Sequence, residues 1–176
     1  MLPNVKQGDI FFVMHHDNKI SKLMAWFMSS KWSHSGLVHG VLEDRILVQE
    51  TSDVQVIISD LNKYLEDPNV SLEVWAPQVG EYQRYCATER AYKKTHGLIY
   101  GYFQLISLGL RRVFKLFGIN IPNFIRSNVV CCHVPSYAYS INPDVIGPIS
   151  NDPEGCDTQE LYEEVSKRCA LVFSKT

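Results

Sequence analysis

Ser35-Gly36-Leu37-Val38-His39-Gly40-Val41 and Arg45-Ile46-Leu47-Val48-Gln49-Glu50-Thr51 are two strand-like runs separated by the turn-like Leu42-Glu43-Asp44. So short a connection suits an antiparallel hairpin and leaves no room for a crossover. Before the hairpin, Gly8-Asp9 opens onto the apolar run Ile10 to Met14, a buried strand by its composition. From Ile20, the residues Leu23, Met24 and Phe27 recur at helical spacing, which predicts an amphipathic helix to about Ser30. After the hairpin, Val54 to Ile58 and Val70 to Trp75 supply two further strands, with a short helix between them capped by Ser59 or Asp60.

The period then changes. Glu81 to Thr95 is helical in composition, with Gly97 where a left-handed C-terminal cap belongs, and a second helix is predicted from Phe103 to Leu116, stopping at Gly118. Pro122 to Asn128 reads as a loop leading into Val129-Val130-Cys131-Cys132. Asp157 and Glu160 have capping-box spacing for a helix to about Lys167, and Ala170 to Phe173 reads as a closing strand. Strands grouped early and helices late predict an α+β fold, a mainly antiparallel sheet packed against helices, as one domain over residues 1–176. No internal repeat is visible.

Bulk properties exclude several function classes. A formal net charge of -2 and a pI near 6.3 argue against a nucleic-acid partner, which calls for a basic face. Five cysteines without a CxxC suit a reducing compartment. The N-terminal residues lack the pattern of a secretory signal, and Leu98 to Phe117 contains Arg111, Arg112 and Lys115, expensive in a bilayer core. The expectation is a cytoplasmic protein without an integral membrane segment.

The chemistry centres on Cys131. Pro135 lacks an N–H and is tolerated only in a helix's first turn, so a helix over His133 to Tyr139 should begin no earlier than about Cys131. A thiol at a helix start is pushed toward thiolate by unpaired N–H groups. It still needs a base, and His34, at the head of a strand, is the best placed of six histidines. His15, His16, His39 and His96 read as surface or structural positions, and His133 shares the thiol's short helix. Glu50 lies in phase with Ile46 and Val48, so its carboxylate points inward and fits an acceptor that orients the imidazole. The alternative is that the strand ends at Gln49 and Glu50 is solvated. Zinc binding by Cys131, Cys132 and His133 is disfavoured, because adjacent ligands do not fit the usual spacing.

Taken together, Gly8-Asp9-Ile10-Phe11-Phe12, Ser33-His34-Ser35-Gly36-Leu37-Val38, Val48-Gln49-Glu50, Gly97-Leu98-Ile99-Tyr100 and Cys131-Cys132-His133-Val134 form an ordered set. The chain resembles the circularly permuted branch of the NlpC-type papain-like superfamily, the YiiX-like proteins. In that branch histidine and acid precede cysteine, as His34, Glu50 and Cys131 do here. The resemblance implies a papain-like α+β fold, a thiol hydrolase or acyl-transfer reaction on a peptide or amide substrate, and neither metal nor other cofactor. It prefers Cys131 over Cys132 as nucleophile and makes Tyr100 a candidate substrate-lining residue. The sequence departs from the pattern at His133, where the family has Glu, and at Pro135. Two other readings remain open: a lipid or ester substrate, with the basic amphipathic stretch Phe103 to Lys115 resting on a membrane surface, and a non-catalytic binding module.

Overall fold

In the computed structural model, which describes residues 4–119, 121, 128–147 and 152–176, the chain forms a six-stranded antiparallel sheet with seven helices among the described residues. The elements are β1 (Ile10–His15), α1 (Lys19–Phe27), β2 (His34–Val41), β3 (Ile46–Thr51), β4 (Val56–Asp60), α2 (Asn62–Glu66), β5 (Val70–Pro77), α3 (Glu81–Thr95), α4 (Tyr102–Leu116), α5 (His133–Ala138), α6 (Pro143–Ile146), α7 (Thr158–Arg168) and β6 (Cys169–Lys175). The α+β expectation therefore holds. The loop read at Pro122 falls on residues 122–127, outside those described.

The strand order is β4-β3-β2-β1-β5-β6, and the β2–β3 hairpin forms as its sequence predicts. β1 lies centrally between β2 and β5, which explains why Ile10, Phe11, Phe12 and Val13 are all fully buried. Alternate residues feed two cores. Ile10, Phe12 and Leu37 pack with apolar residues of α3, α5 and α7, while Phe11, Val13, Val38 and Val48 pack with Leu61 and Tyr64 around α2. Buried Asp9 anchors the start of β1, accepting from the Arg84 guanidinium of α3 and from the Lys6 backbone N–H at 2.8 Å.

Three boundaries differ from expectation. α1 ends at Phe27 rather than near Ser30, because Ser29 takes a φ of 50° and the chain turns back. β4 begins at Val56 rather than Val54: the Val54 carbonyl accepts from Tyr100 N at 2.8 Å, so Val54 serves the 98–100 segment instead of the ladder. Ser59 is a strand residue and caps nothing; Leu61 precedes α2, and Asp60 Oδ1 accepts from Asn62 N at 2.9 Å.

The later helices follow their signals closely. α3 spans the predicted residues, and Gly97 and Gly118 both have the positive φ of left-handed caps. Asp157 and Glu160 make the expected reciprocal capping box. Among the described residues, no helix is long and apolar enough to cross a membrane.

Candidate active site

β-Pairing brings the site together. Val13 faces His34, Phe11 faces Gly36, and Gly36 faces Glu50, so directly opposed residues put His34 and Glu50 on one face of the sheet. Gly36 makes this close approach possible: a Cβ there would stand 2.6 Å from the Phe11 ring and 2.7 Å from the Gln49 carbonyl oxygen. The inward phase read for Glu50 is what the structure has, with only 1% of the residue exposed.

Glu50 is held by four side-chain donors. Oε2 accepts from His34 Nε2 at 2.7 Å and from the Tyr64 hydroxyl at 2.6 Å, while Oε1 accepts from Ser59 and from Lys63 Nζ. Burial alone would raise its pKa. The His34 bond and charge, joined by Lys63, outweigh burial and hold the carboxyl well below its usual range. Tyr64 stays a phenol, because burial and the neighbouring carboxylate both push its ionisation upward.

Cys131 arrives from the helical layer. Residues 98–100 bridge outward to Gln55 and Val129, with Gly101 N donating to Val129 O at 2.9 Å, so Tyr100 and the segment entering Cys131 lie side by side. Cys131 is buried, and its Sγ lies 3.8 Å from the hydroxyl of Thr158, the first residue of α7 beyond the Asp157 cap. The ionisation of Cys131 is tied to that of His34: each side chain shifts the other's pKa, the thiol downward and the imidazole upward. With Nε2 given to Glu50, Nδ1 is the ring atom left for the sulfur.

The electrostatics separate the two adjacent thiols. A hydrogen bond from Cys132 lowers the Cys131 pKa most; burial opposes it, and contacts with His34 and Thr158 carry it well below the usual thiol value. Burial, followed by the Cys131 and Cys156 contacts, drives Cys132 the opposite way. In the structure the Cys132 thiol donates to the Cys156 carbonyl at 3.0 Å. The imidazole mirrors the Cys131 thiol: burial disfavours its charge, but Cys131 and Glu50 raise its pKa to about 10. The two shifts run in opposite directions, the thiol's down and the imidazole's up, as a base beside a nucleophile requires.

α5 begins at His133, with Cys132 as its N-cap and Pro135 in the first turn as expected, but it is only six residues long. A dipole from so short a helix is small, and neighbouring side chains do most of the work at the sulfur. His133 is fully buried; burial lowers its pKa to about 4, and its Nδ1 accepts from Val130 N at 3.4 Å, so it packs as a neutral residue.

The cleft beside His34, about 520 Å³, is lined by Glu50, Tyr64, Tyr100 and Tyr102, by Asn18, Ile20 and Met24 of the α1 segment, and by His15 and Lys63. His15 reads from the sequence as a surface or structural position. The structure puts its half-buried ring 5.7 Å from Tyr64 and at the rim of the cleft. Ser59, which reads only as a helix cap, and Lys63, Tyr64 and Thr158 have no sequence signal for a role at the site, since nothing local marks which carboxylate or thiol they will meet. Among the described residues, no group of three or more His, Cys, Asp or Glu converges as a metal site.

No known protein-family model matches the chain, and no curated protein matches it in sequence. The geometry of the site therefore carries the functional argument.

Proposed function

We propose that the protein is a cysteine hydrolase of the amidase or peptidase type, with Cys131 as nucleophile, His34 as base and Glu50 as the orienting acid, on a circularly permuted NlpC-type papain-like domain. One observation carries the reading: a buried carboxylate with four donors grips His34 Nε2 at 2.7 Å, and the same imidazole and the Cys131 thiol shift each other's ionisation. The order of the three residues along the chain, on an antiparallel sheet backed by helices, supports the permuted assignment.

In the proposed reaction, His34 holds the thiol proton as an imidazolium and the thiolate adds to an amide or ester carbonyl. The tetrahedral adduct collapses as the imidazolium protonates the departing amine or alcohol. Water, deprotonated by the now neutral imidazole, then attacks the thioester and returns the free thiol. Tyr100 lines the cleft next to the thiol and fits a substrate-contacting role. Apolar Ile20 and Met24 in the same cleft favour a second reading, an acyl ester or lipid substrate on the same residues.

The test is p-nitrophenyl acetate with mass mapping of the protein. The expected result is a burst of p-nitrophenol with the acetyl group on Cys131, lost in Cys131→Ser and in His34→Ala. Acetylation spread over surface lysines, with no burst, would reject the assignment.

A further inference from the structure

We infer that the outer faces of α1 and α4 form a docking surface for an anionic lipid bilayer, set so that the mouth of the His34 cleft meets the membrane. On α4, Phe103, Ile106, Leu110 and Phe114, continued by Phe117 at its cap, recur at three- and four-residue spacing along one stripe. All five are exposed, Phe103 at 71% and Phe117 at 76%. On α1, Ile20, Leu23 and Trp26 form a second exposed stripe, with Trp26 at 75%. The two helices touch where Phe27 packs over Gly109, a position with no space for a Cβ. Large apolar side chains so arranged on neighbouring helices are not scattered surface residues, and a patch of this kind marks an interaction site.

Charge selects the occupant. α1 and α4 carry Lys19, Lys22, Arg111, Arg112 and Lys115 and no acidic residue, in a chain whose formal net charge is -2. Arg111, Arg112 and Lys115 pair with Glu160 and Glu163 of α7, with Lys115 still exposed, and the outer side carries the aromatic and aliphatic residues, flanked by exposed Lys19 and Lys22 on α1. Aromatic side chains beside lysines suit the headgroup region of an anionic leaflet, whereas a second copy would bring like charges together. Continuity with the cleft gives the docking a purpose. Ile20, Met24 and Tyr102 line it together with His34, so an amphiphile held in the leaflet enters without crossing water.

The experiment is flotation of the full chain with vesicles of phosphatidylcholine alone, and with vesicles carrying about one-third phosphatidylglycerol. Flotation with the anionic vesicles is expected, weakened by salt, together with a blue shift in tryptophan emission that Trp26→Phe removes while flotation persists. The triple variant Leu23→Gln, Phe103→Gln, Phe117→Gln should lose about tenfold or more in vesicle affinity with unchanged circular dichroism. Cys131→Ser should float like the parent, which separates docking from the thiol chemistry. The inference is overturned if the parent floats with neither vesicle, or if the triple variant floats equally well. It is also overturned if the parent is a dimer that the triple variant dissociates without any vesicle binding, because the face then belongs to a second copy.

Discussion

Replacing Glu50 with Gln tests the core of the site with little change in shape. The substitution removes the charge that His34 Nε2, the Tyr64 hydroxyl, Ser59 and Lys63 all address, and it turns an NH2 group toward at least one donor. The rise of the His34 pKa from 6.5 to about 10 corresponds to roughly 5 kcal/mol favouring the imidazolium. Burial works against that charge, so Glu50 and Cys131 together supply at least this much, and loss of Glu50 should cut the thiolate–imidazolium population by roughly tenfold or more. The assay is the rate of Cys131 alkylation by iodoacetamide against pH, with the modified site mapped by mass spectrometry. In the parent, Cys131 should react well below pH 8; in Glu50→Gln the rise should move upward by one to two pH units. Stability changes too, by about 3 kcal/mol, since Lys63 and His34 lose a buried counter-charge. The sign with pH follows from the depressed carboxyl: its contribution is complete above its ordinary value of 4.5 and is lost as pH falls below it. The gap in urea midpoint between parent and variant should therefore be widest above pH 4.5 and narrow on acidification. A folded Glu50→Gln protein whose Cys131 alkylates along the parent curve would refute the orienting role.

Cys132→Ala removes the thiol proton that stabilises the Cys131 thiolate and should cut alkylation at neutral pH about tenfold, while Cys132→Ser keeps a donor and stays near the parent rate. Arg84→Ala strands the buried Asp9 carboxylate and should cost about 3–5 kcal/mol by urea denaturation, with Arg84→Lys recovering only part of it. Gly36→Ala drives a methyl group into the Phe11 ring and the Gln49 carbonyl; a loss of about 1–3 kcal/mol is expected, read by thermal melting, with Cys131 alkylation slowed because the strand carrying His34 is displaced.

Local periodicity was enough for most elements here. The strand-like runs of β2 and β3 with the short turn between them, the capping box at Asp157 and Glu160, and the glycine caps after α3 and α4 are all written within a few neighbouring residues. The inward phase of Glu50 belongs to the same class, because strand geometry ties it to Ile46 and Val48. His34 and Glu50 meeting at 2.7 Å follows from a hairpin whose two strands are adjacent in sequence. The source of the thiol's acidity was less legible. The helix start was readable from Pro135, yet the dominant partner at Cys131 is the next side chain, Cys132, whose direction depends on how α5 packs.

By itself, the sequence determined the identity of the strands and long helices, the antiparallel hairpin, and the residue types able to perform thiol chemistry, since each depends on contacts a few positions apart. Only the tertiary structure decided that β5 lies beside β1 with β6 at the sheet edge, that Ser59, Lys63 and Tyr64 close around Glu50, and that the apolar stripes of α1 and α4 face outward next to the cleft. Those arrangements join residues far apart in the chain. A helical stripe has the same spacing whether it meets a sheet or solvent, and long loops close at nearly equal entropic cost, so packing makes the choice.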